Sequence, residues 1–170
     1  SAAVCSSSSS SFGVTKVKKQ NELLPAITEA FKESDQVLME EFIEGREISC
    51  GVMIAGGKEY IFPITELVCQ SEFFDYKAKY QGFSNEITPA DLPEAIRKEV
   101  NRLTLIAYKR LNCRGVVRID FIVKGETPYM IEINTIPGMS SHSIIPQQAA
   151  TMGMSLTELF NLIIDETSNK

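Results

Sequence analysis

The sequence is poor in the residues that bind transition metals and form disulfides. It contains one histidine, His142, and four cysteines, Cys5, Cys50, Cys69 and Cys113, with no CxxC pair among them. Structural zinc sites need closely spaced cysteine and histidine ligands, so this spacing excludes such a site. We therefore expect reduced thiols in or near the core.

Long apolar runs and an excess of basic residues are also lacking. No run approaches the roughly 20 apolar residues of a membrane span, and the first residues lack the features of a secretory signal. The formal net charge of -5 and a pI of about 5.0 argue against a nucleic-acid-binding face. With 170 residues, 44% of them hydrophobic, we expect a cytoplasmic globular protein with one compact domain.

Two common nucleotide-binding motifs are missing as well. The sequence contains no GxxxxGK loop followed by serine or threonine, and no GxGxxG fingerprint. If the chain binds ATP, a different fold holds the nucleotide.

Three segments have the apolar period of a helix. The first is capped by Asn21 and runs to about Glu33, and the second opens at Asp91. The third begins at Ser155, where Glu158 completes a capping-box pattern.

Strand patterns fill the space between the first two helices and follow the second helix. The predicted strands are Val37 to Ile43, Arg46 to Ile54, Glu59 to Val68, Val116 to Lys124 and Pro128 to Asn134. Gly56-Gly57 and Gly125 are placed to form hairpin turns. This order predicts an α+β fold with a mainly antiparallel sheet packed with helices.

The last predicted hairpin carries polar residues on one face. A period of two places Arg118 and Asp120 together on the first strand, and Glu132 and Asn134 together on the second. If the turn centres near Glu126, Asp120 faces Glu132 and Arg118 faces Asn134. The four polar groups then form one cluster.

This cluster has the chemistry of a magnesium or manganese site. Opposed carboxylates repel each other, and a divalent cation relieves the repulsion. Carboxylate and amide oxygens without imidazole or thiolate are hard ligands, which suit Mg²⁺ or Mn²⁺ shared with substrate phosphates. The alternative is a solvated outer sheet face, on which Arg118 neutralises one carboxylate.

Three other segments are candidate binding elements. Residues 135–143 form a small-residue loop whose N–H groups and hydroxyls suit an anionic substrate, although the loop could be an ordinary strand-to-helix connection. Residues 71–85 are rich in aromatic residues and lysines, as in a lid, or in a hairpin extension packed on the sheet. Glu40 and Glu47 flank a turn, where they are either sugar ligands or ordinary exposed acids.

Several of these stretches together resemble one family. They are Ser10 to Val14, Val37 to Glu47, Phe74 to Tyr80, Arg118 to Asp120 and Glu132 to Ser143. The set is similar to the C-terminal part of D-alanine:D-alanine ligases, members of the ATP-grasp superfamily. The Asp and Glu-x-Asn pattern is shared by many ATP-grasp enzymes, whereas the lid and the PGMSSHS loop are more specific.

The resemblance implies a ligase that uses ATP to phosphorylate one D-alanine and joins it to a second, for peptidoglycan synthesis. Asp120, Glu132 and Asn134 would hold two Mg²⁺ or Mn²⁺ ions. Arg118 would stabilise charge in the transition state, and Tyr80 would help close the lid over the reaction.

The resemblance also implies ligand contacts elsewhere. D-alanine would contact Gly138, Ser143 and Ile144, and Ser143 is counted among the catalytic residues. The predicted ATP-binding residues are Ser10, Glu40, Glu41, Phe42, Ile43, Glu47 and Lys79. Family members are often homodimers, so a homodimer is a possible assembly, but the sequence shows no interface that would predict it.

The family pattern is incomplete at the start of the chain. Residues 1–11 are predicted to be a serine-rich, irregular segment that is flexible, damaged or artificial, and residues 12–170 to be the ligase C-terminal domain. Val4, Cys5 and Ser9 replace the lysine, proline and glycine of the family, so a nucleotide contact is missing. The family's N-terminal and central domains are expected to be absent, which predicts a fragment that is inactive alone.

Two functional alternatives stay open at this point. One is a related ligase with another second substrate, such as a D-hydroxy acid. The other is a non-catalytic nucleotide-binding or interaction module in which the acidic cluster is only a surface face.

Overall fold

The structure, a computed structural model, describes residues 2–6, 15–69 and 84–168. The described residues divide into two compact units, one formed by residues 2–6 and 15–44 and the other by residues 45–69 and 84–168. The single compact domain expected from length is therefore not what the contacts show. No helix among the described residues is long and apolar enough to cross a membrane.

The smaller unit contains a three-stranded antiparallel sheet. Its elements are β1 (Ala2–Ser6), β2 (Thr15–Val17), α1 (Leu23–Ala30) and β3 (Val37–Glu41), with strand order β2-β1-β3. One side of the sheet packs on α1 through the buried residues Val4, Val17, Ala26 and Ala30. The acidic residues Glu40 and Glu41 lie exposed at the end of β3.

The predicted irregular start is wrong over Ala2–Ser6, which forms the central strand of this sheet. Val4 is fully buried, and β2 and β3 pair with β1 on its two sides. Composition could not reveal these partners because they lie farther along the chain. Residues 7–14 lie outside the described residues.

The larger unit is built on a second antiparallel sheet. Its strands are β4 (Arg46–Ala55), β5 (Lys58–Ile61), β6 (Thr65–Cys69), β7 (Ser84–Ile87), β8 (Val117–Lys124) and β9 (Thr127–Asn134). The order is β7-β6-β4-β8-β9, and β5 also pairs with β4. The long β4 is thus central and contacts three partners, β5, β6 and β8.

The strand predicted over Glu59 to Val68 is two strands in the structure. Pro63 lies between them, and a proline has no N–H to continue a ladder. The preceding turn is confirmed: Gly56 and Gly57 have φ of 56° and 76°, the left-handed values that a tight hairpin needs.

Helices of the larger unit pack on both sides of β4. They are α2 (Glu94–Arg110), α3 (Ile144–Thr151) and α4 (Leu156–Ser168). The main core joins α2 to β4 and β8 through residues such as Val100, Ile48 and Phe121. A second cluster joins α3 and α4 to the other face through Ile145, Leu159 and Phe62.

The capping box at Ser155 is confirmed. The Ser155 N–H donates to the Glu158 carboxylate at 2.7 Å, and the Glu158 N–H donates to the Ser155 hydroxyl at 3.2 Å. The Ser155 hydroxyl also donates to the Glu158 carboxylate at 2.7 Å, and this bond, together with that from the Ser155 N–H, holds the pKa of Glu158 below its ordinary value. The predicted α1 is shorter than expected, since it ends at Ala30 rather than near Glu33.

Candidate functional site

The β8–β9 hairpin brings the predicted metal ligands together. Asp120 pairs with Glu132 and Arg118 pairs with Asn134, which confirms the predicted partners. Nearer the turn, however, Phe121 pairs with Met130, so the register shifts by one residue and Ile131 is left as a β-bulge. Without this extra residue the turn would set Asp120 opposite Ile131, and the bulge is what aligns the two carboxylates.

Arg118 and Asp120 form a close ion pair within this cluster. Arg118 Nε donates to Asp120 Oδ1 at 2.9 Å, and Nη2 donates to Oδ2 at 2.7 Å. Both side chains are largely buried, with 21% and 12% of their area exposed. Burial alone would lower the pKa of Arg118, but the hydrogen bonds and charge of Asp120, helped by Glu132 and Glu47, raise it.

The alternative of a solvated outer face is only half right. Arg118 does neutralise a carboxylate, as that alternative predicted, but Asp120 is buried and its carboxylate is hydrogen-bonded to Arg118. Glu132 is more open, with 64% of its side chain exposed, and its carboxylate lies 3.8 Å from Arg118.

A residue that sequence reasoning missed also contacts Asp120. Ser49 lies opposite Asp120 on the neighbouring strand β4, and its hydroxyl donates to Asp120 Oδ1 at 2.5 Å. Ser49 is 71 residues away in sequence, so only the pairing of β4 with β8 could have revealed it. A serine within a buried strand gives no signal of its own.

The donor set fits a hard divalent cation. Asp120 and Glu132 offer carboxylate oxygens, and Asn134 offers an amide oxygen that also accepts the Ile136 N–H at 3.0 Å. The described residues contain no group of three or more histidine, cysteine, aspartate or glutamate side chains arranged for a metal. A site here therefore rests on two carboxylates, one amide and oxygens from the ligand, as Mg²⁺ sites commonly do.

A pocket of about 260 Å³ opens beside Arg118. Its lining comprises Glu86, Arg118, Pro137, Gly138, His142, Ser143, Ile144 and Ile145. The predicted substrate residues Gly138, Ser143 and Ile144 therefore meet in one cavity with the predicted catalytic Arg118. Glu86 and Ile145 were not predicted, because neither belongs to a recognisable motif.

The wall of this pocket is the start of α3. Ser143 is the N-cap residue of α3, and its hydroxyl lies 2.8 Å from that of Ser140. A Cβ at position 138 would lie 2.9 Å from the Ser143 hydroxyl, so glycine keeps this wall open. Free N–H groups at the N-terminus of a helix attract anions such as a carboxylate.

The predicted nucleotide residues are distributed over both units and the undescribed segments. Glu40 and Glu41 end β3, and Phe42, which follows, has the Lys16 ammonium 3.6 Å from its ring centroid. Glu47 lies on β4 in the larger unit, half-buried. Ser10, Lys79 and Tyr80 lie outside the described residues, as does most of the predicted lid.

Comparison with known proteins gives a consistent result. The family model described as D-ala D-ala ligase C-terminus matches residues 4–165. A curated relative, D-alanine–D-alanine ligase of Phocaeicola vulgatus, is 50% identical over 157 residues, which cover 92% of this chain and 48% of the relative. The chain thus spans about half the length of the curated relatives it matches.

Solved structures agree with the sequence relatives. D-alanine–D-alanine ligase from Bacillus anthracis complexed with ATP has a TM-score of 0.79 and 29% identity, covering 98% of this chain and 52% of that one. VanG D-Ala:D-Ser ligase from Enterococcus faecalis has a TM-score of 0.83 and 31% identity, covering 96% and 48%. The predicted α+β fold of the ATP-grasp type is confirmed, and the chain belongs to the D-ala D-ala ligase C-terminus family.

Proposed function

We propose that this chain is the magnesium- and ATP-binding part of a ligase that joins two D-alanines. The observation that carries the proposal is the contact between two sites: the Asp120–Glu132–Asn134 cluster and the pocket at Ser143 share Arg118. A ligase of this kind has to hold a nucleotide phosphate, a metal and a small carboxylic acid within reach of one another. The relatives' names and the structure of one with ATP support the same reading.

The proposed reaction has two steps. First, a carboxylate oxygen of one D-alanine attacks the γ-phosphorus of ATP, which releases ADP and forms an acyl phosphate. The neutral amine of a second D-alanine then attacks the acyl carbon and loses a proton, and the tetrahedral intermediate expels phosphate to leave the dipeptide. Bound Mg²⁺ would neutralise phosphate charge in the first step.

The residues of this chain would position these groups. Asp120, Glu132 and Asn134 would hold two Mg²⁺ or Mn²⁺ ions, and Arg118 would balance charge on the transferring phosphoryl group. Gly138, Ser143 and Ile144 would hold a D-alanine, whose carboxylate suits the Ser143 hydroxyl and the start of α3.

Other parts of the proposal rest on the resemblance alone. The adenosine would lie against Glu40 to Ile43 and Glu47, and Ser10, Lys79 and Tyr80 would cover the phosphates. A role in cytoplasmic peptidoglycan synthesis and assembly as a homodimer likewise stay predictions.

The decisive measurement is calorimetric titration with ATP, with and without Mg²⁺. We expect saturable binding that requires Mg²⁺ and is lost in Asp120→Ala, because Asp120 is the most enclosed of the three proposed ligands. Asp165→Ala, which changes an exposed carboxylate on α4, is the matched control and should bind as the wild type does. Equal binding by Asp120→Ala would contradict the proposed metal site.

A different second substrate is the competing proposal, favoured by the similarity to the D-Ala:D-Ser ligase of E. faecalis. Thermal shift in the presence of Mg²⁺ and ATP can compare D-alanine, D-serine and D-lactate as added ligands. Stabilisation by D-serine or D-lactate that exceeds that by D-alanine would favour this alternative.

A further inference from the structure

We infer that Ser49 is a positioning residue that orients the carboxylate of Asp120 for a divalent cation; this inference rests on the proposed metal site. Ser49 is 1% exposed, and its hydroxyl donates to Asp120 Oδ1 at 2.5 Å. A hydroxyl has one proton to donate, and here that proton is directed at the predicted ligand.

The backbone beneath Ser49 is held in place by a buried side chain of α3. Gln148 is fully buried, and its Nε2 donates to the Ser49 carbonyl at 3.0 Å and to the Thr65 hydroxyl at 3.0 Å. Its Oε1 accepts the Gly51 N–H at 3.1 Å. One amide thus ties the Ser49 carbonyl, the Gly51 N–H and Thr65, which pairs with Ser49, to the helix whose first residues line the pocket.

Charge distinguishes Ser49 from the other partner of Asp120. Arg118 contacts both carboxylate oxygens, so its positive charge already balances the negative charge that would attract a cation. A divalent ion repels the guanidinium, and Arg118 would have to give up at least one of these contacts. The hydroxyl of Ser49 is neutral, so its hydrogen bond to Oδ1 would be compatible with a bound cation.

This arrangement predicts a metal-specific effect of losing the hydroxyl. Removing a hydrogen-bond partner of a metal ligand commonly weakens metal binding by about 10- to 100-fold. We therefore expect Ser49→Ala to weaken Mn²⁺ binding in the presence of ATP by at least about tenfold. Ser49→Thr keeps the hydroxyl and should restore most of the affinity.

The test is titration of the whole chain with Mn²⁺ and ATP, with free Mn²⁺ measured by electron paramagnetic resonance. Thr65→Val is the matched control, because it removes another hydroxyl from the Gln148 network without touching Asp120. It should lower the melting temperature but leave Mn²⁺ affinity near the wild-type value. Ser49→Cys, similar in size but a weak donor, carries the test if Ser49→Ala does not fold.

The outcomes show whether this inference fails alone or together with the proposed metal site. If Asp120→Ala loses Mn²⁺ but Ser49→Ala and Ser49→Cys bind it as the wild type does, the metal site stands and the role of Ser49 is wrong. Weak binding by Ser49→Thr, or equal weakening in Thr65→Val, would also overturn it, because the effect would then be structural. If the wild type binds no Mn²⁺ with ATP, both proposals fail together.

Discussion

Gly51 shows how closely a single residue of β4 is fitted to its surroundings. A Cβ there would lie 2.6 Å from both the Gln148 Oε1 and the Ile145 Cδ1, and 3.0 Å from the Phe62 ring. All three neighbours are fully buried, so none can move aside into solvent. Glycine at this position lets α3 approach the central strand.

We expect Gly51→Ala to lower the free energy of unfolding by about 1–3 kcal/mol, the usual range for forcing extra atoms into a packed core. Urea denaturation measures the change. Gly153→Ala is the control: no atom lies within 4 Å of its Cβ position, and only its φ of 81° opposes alanine. A smaller loss at Gly51 than at Gly153 would contradict the packing argument.

Individual site residues differ in how far sequence could predict them. Sequence alone predicts the polar cluster on the β8–β9 hairpin, because alternation along one hairpin is a local pattern. The cluster comprises Arg118, Asp120, Glu132 and Asn134. Ser49 could not be predicted in this way, because it contacts Asp120 only across two strands that are distant in the sequence.

Among the four described α-helices, α3 is the one that the sequence did not predict. It contains eight residues, Ile144–Thr151, in which Pro146 falls in the first turn and two glutamines follow. A segment this short shows barely two turns of apolar periodicity, and residues 135–143 before it were read as a loop. The longer α2 and the capped α4 gave clear signals, and both were predicted.

The attachment of α3 to the sheet can be tested at Gln148. Replacing it with methionine keeps the volume but leaves the Gly51 N–H, the Ser49 carbonyl and the Thr65 hydroxyl without this partner. The Thr65 hydroxyl keeps its hydrogen bond with that of Thr88, so two buried polar groups are left unpaired. Such groups cost about 1–3 kcal/mol each, so we expect Gln148→Met to cost roughly 2–6 kcal/mol in unfolding free energy.

The neighbouring Gln147 provides the control for this prediction. Its amide donates to the exposed Glu86 carboxylate and to the His142 carbonyl, where water can replace it. Gln147→Met should therefore cost less than about 1 kcal/mol. Equal losses for the two variants, measured by denaturant unfolding, would show that burial of the Gln148 amide is not what matters.

At the scale of the whole molecule, acid stability depends in part on an ion pair that is only partly buried. Arg46 donates to the Glu66 carboxylate at 2.6 and 2.7 Å, which lowers the pKa of Glu66 below its ordinary value of 4.5. A lowered folded pKa adds stability above the unfolded pKa, and this stability is lost as the pH falls through the folded value.

We therefore expect Glu66→Gln to reduce stability at pH 7. Below about pH 4.5, the variant should lose less stability on acidification than the wild type does. The loss of unfolding free energy at pH 7 should be about 1 kcal/mol or less, because Arg46 is 42% exposed and its charge is screened by water. Melting temperatures between pH 3 and 7 test this. Glu33→Gln, which changes an exposed carboxylate, should reproduce the wild-type curve.

Alkaline stability depends on a thiol. Burial raises the pKa of Cys50 to about 12 from an ordinary 9.0, so the unfolded chain loses this proton first. The contribution of the Cys50 thiol to folding stability is fully present below about pH 9. It is lost as the pH rises from 9 toward 12.

Cys50→Ala should remove this alkaline loss, although the smaller side chain lowers stability at neutral pH. The measurement is the difference in melting temperature between pH 7 and pH 10.5 for the two proteins. If the melting temperature of the variant falls between pH 7 and pH 10.5 by as much as that of the wild type, Cys50 does not control the loss of stability at alkaline pH.

The β-bulge in β9 has a further consequence, for self-association. Within the described residues β9 is the last strand of the sheet order, and Tyr129, Met130 and Ile131 on it are 41–51% exposed. A straight apolar edge strand is a template for pairing with another molecule. The extra residue at Ile131 bends and twists the strand, and Pro128 offers no N–H. The irregularity that aligns Glu132 with Asp120 thus also makes this edge a poor template for aggregation.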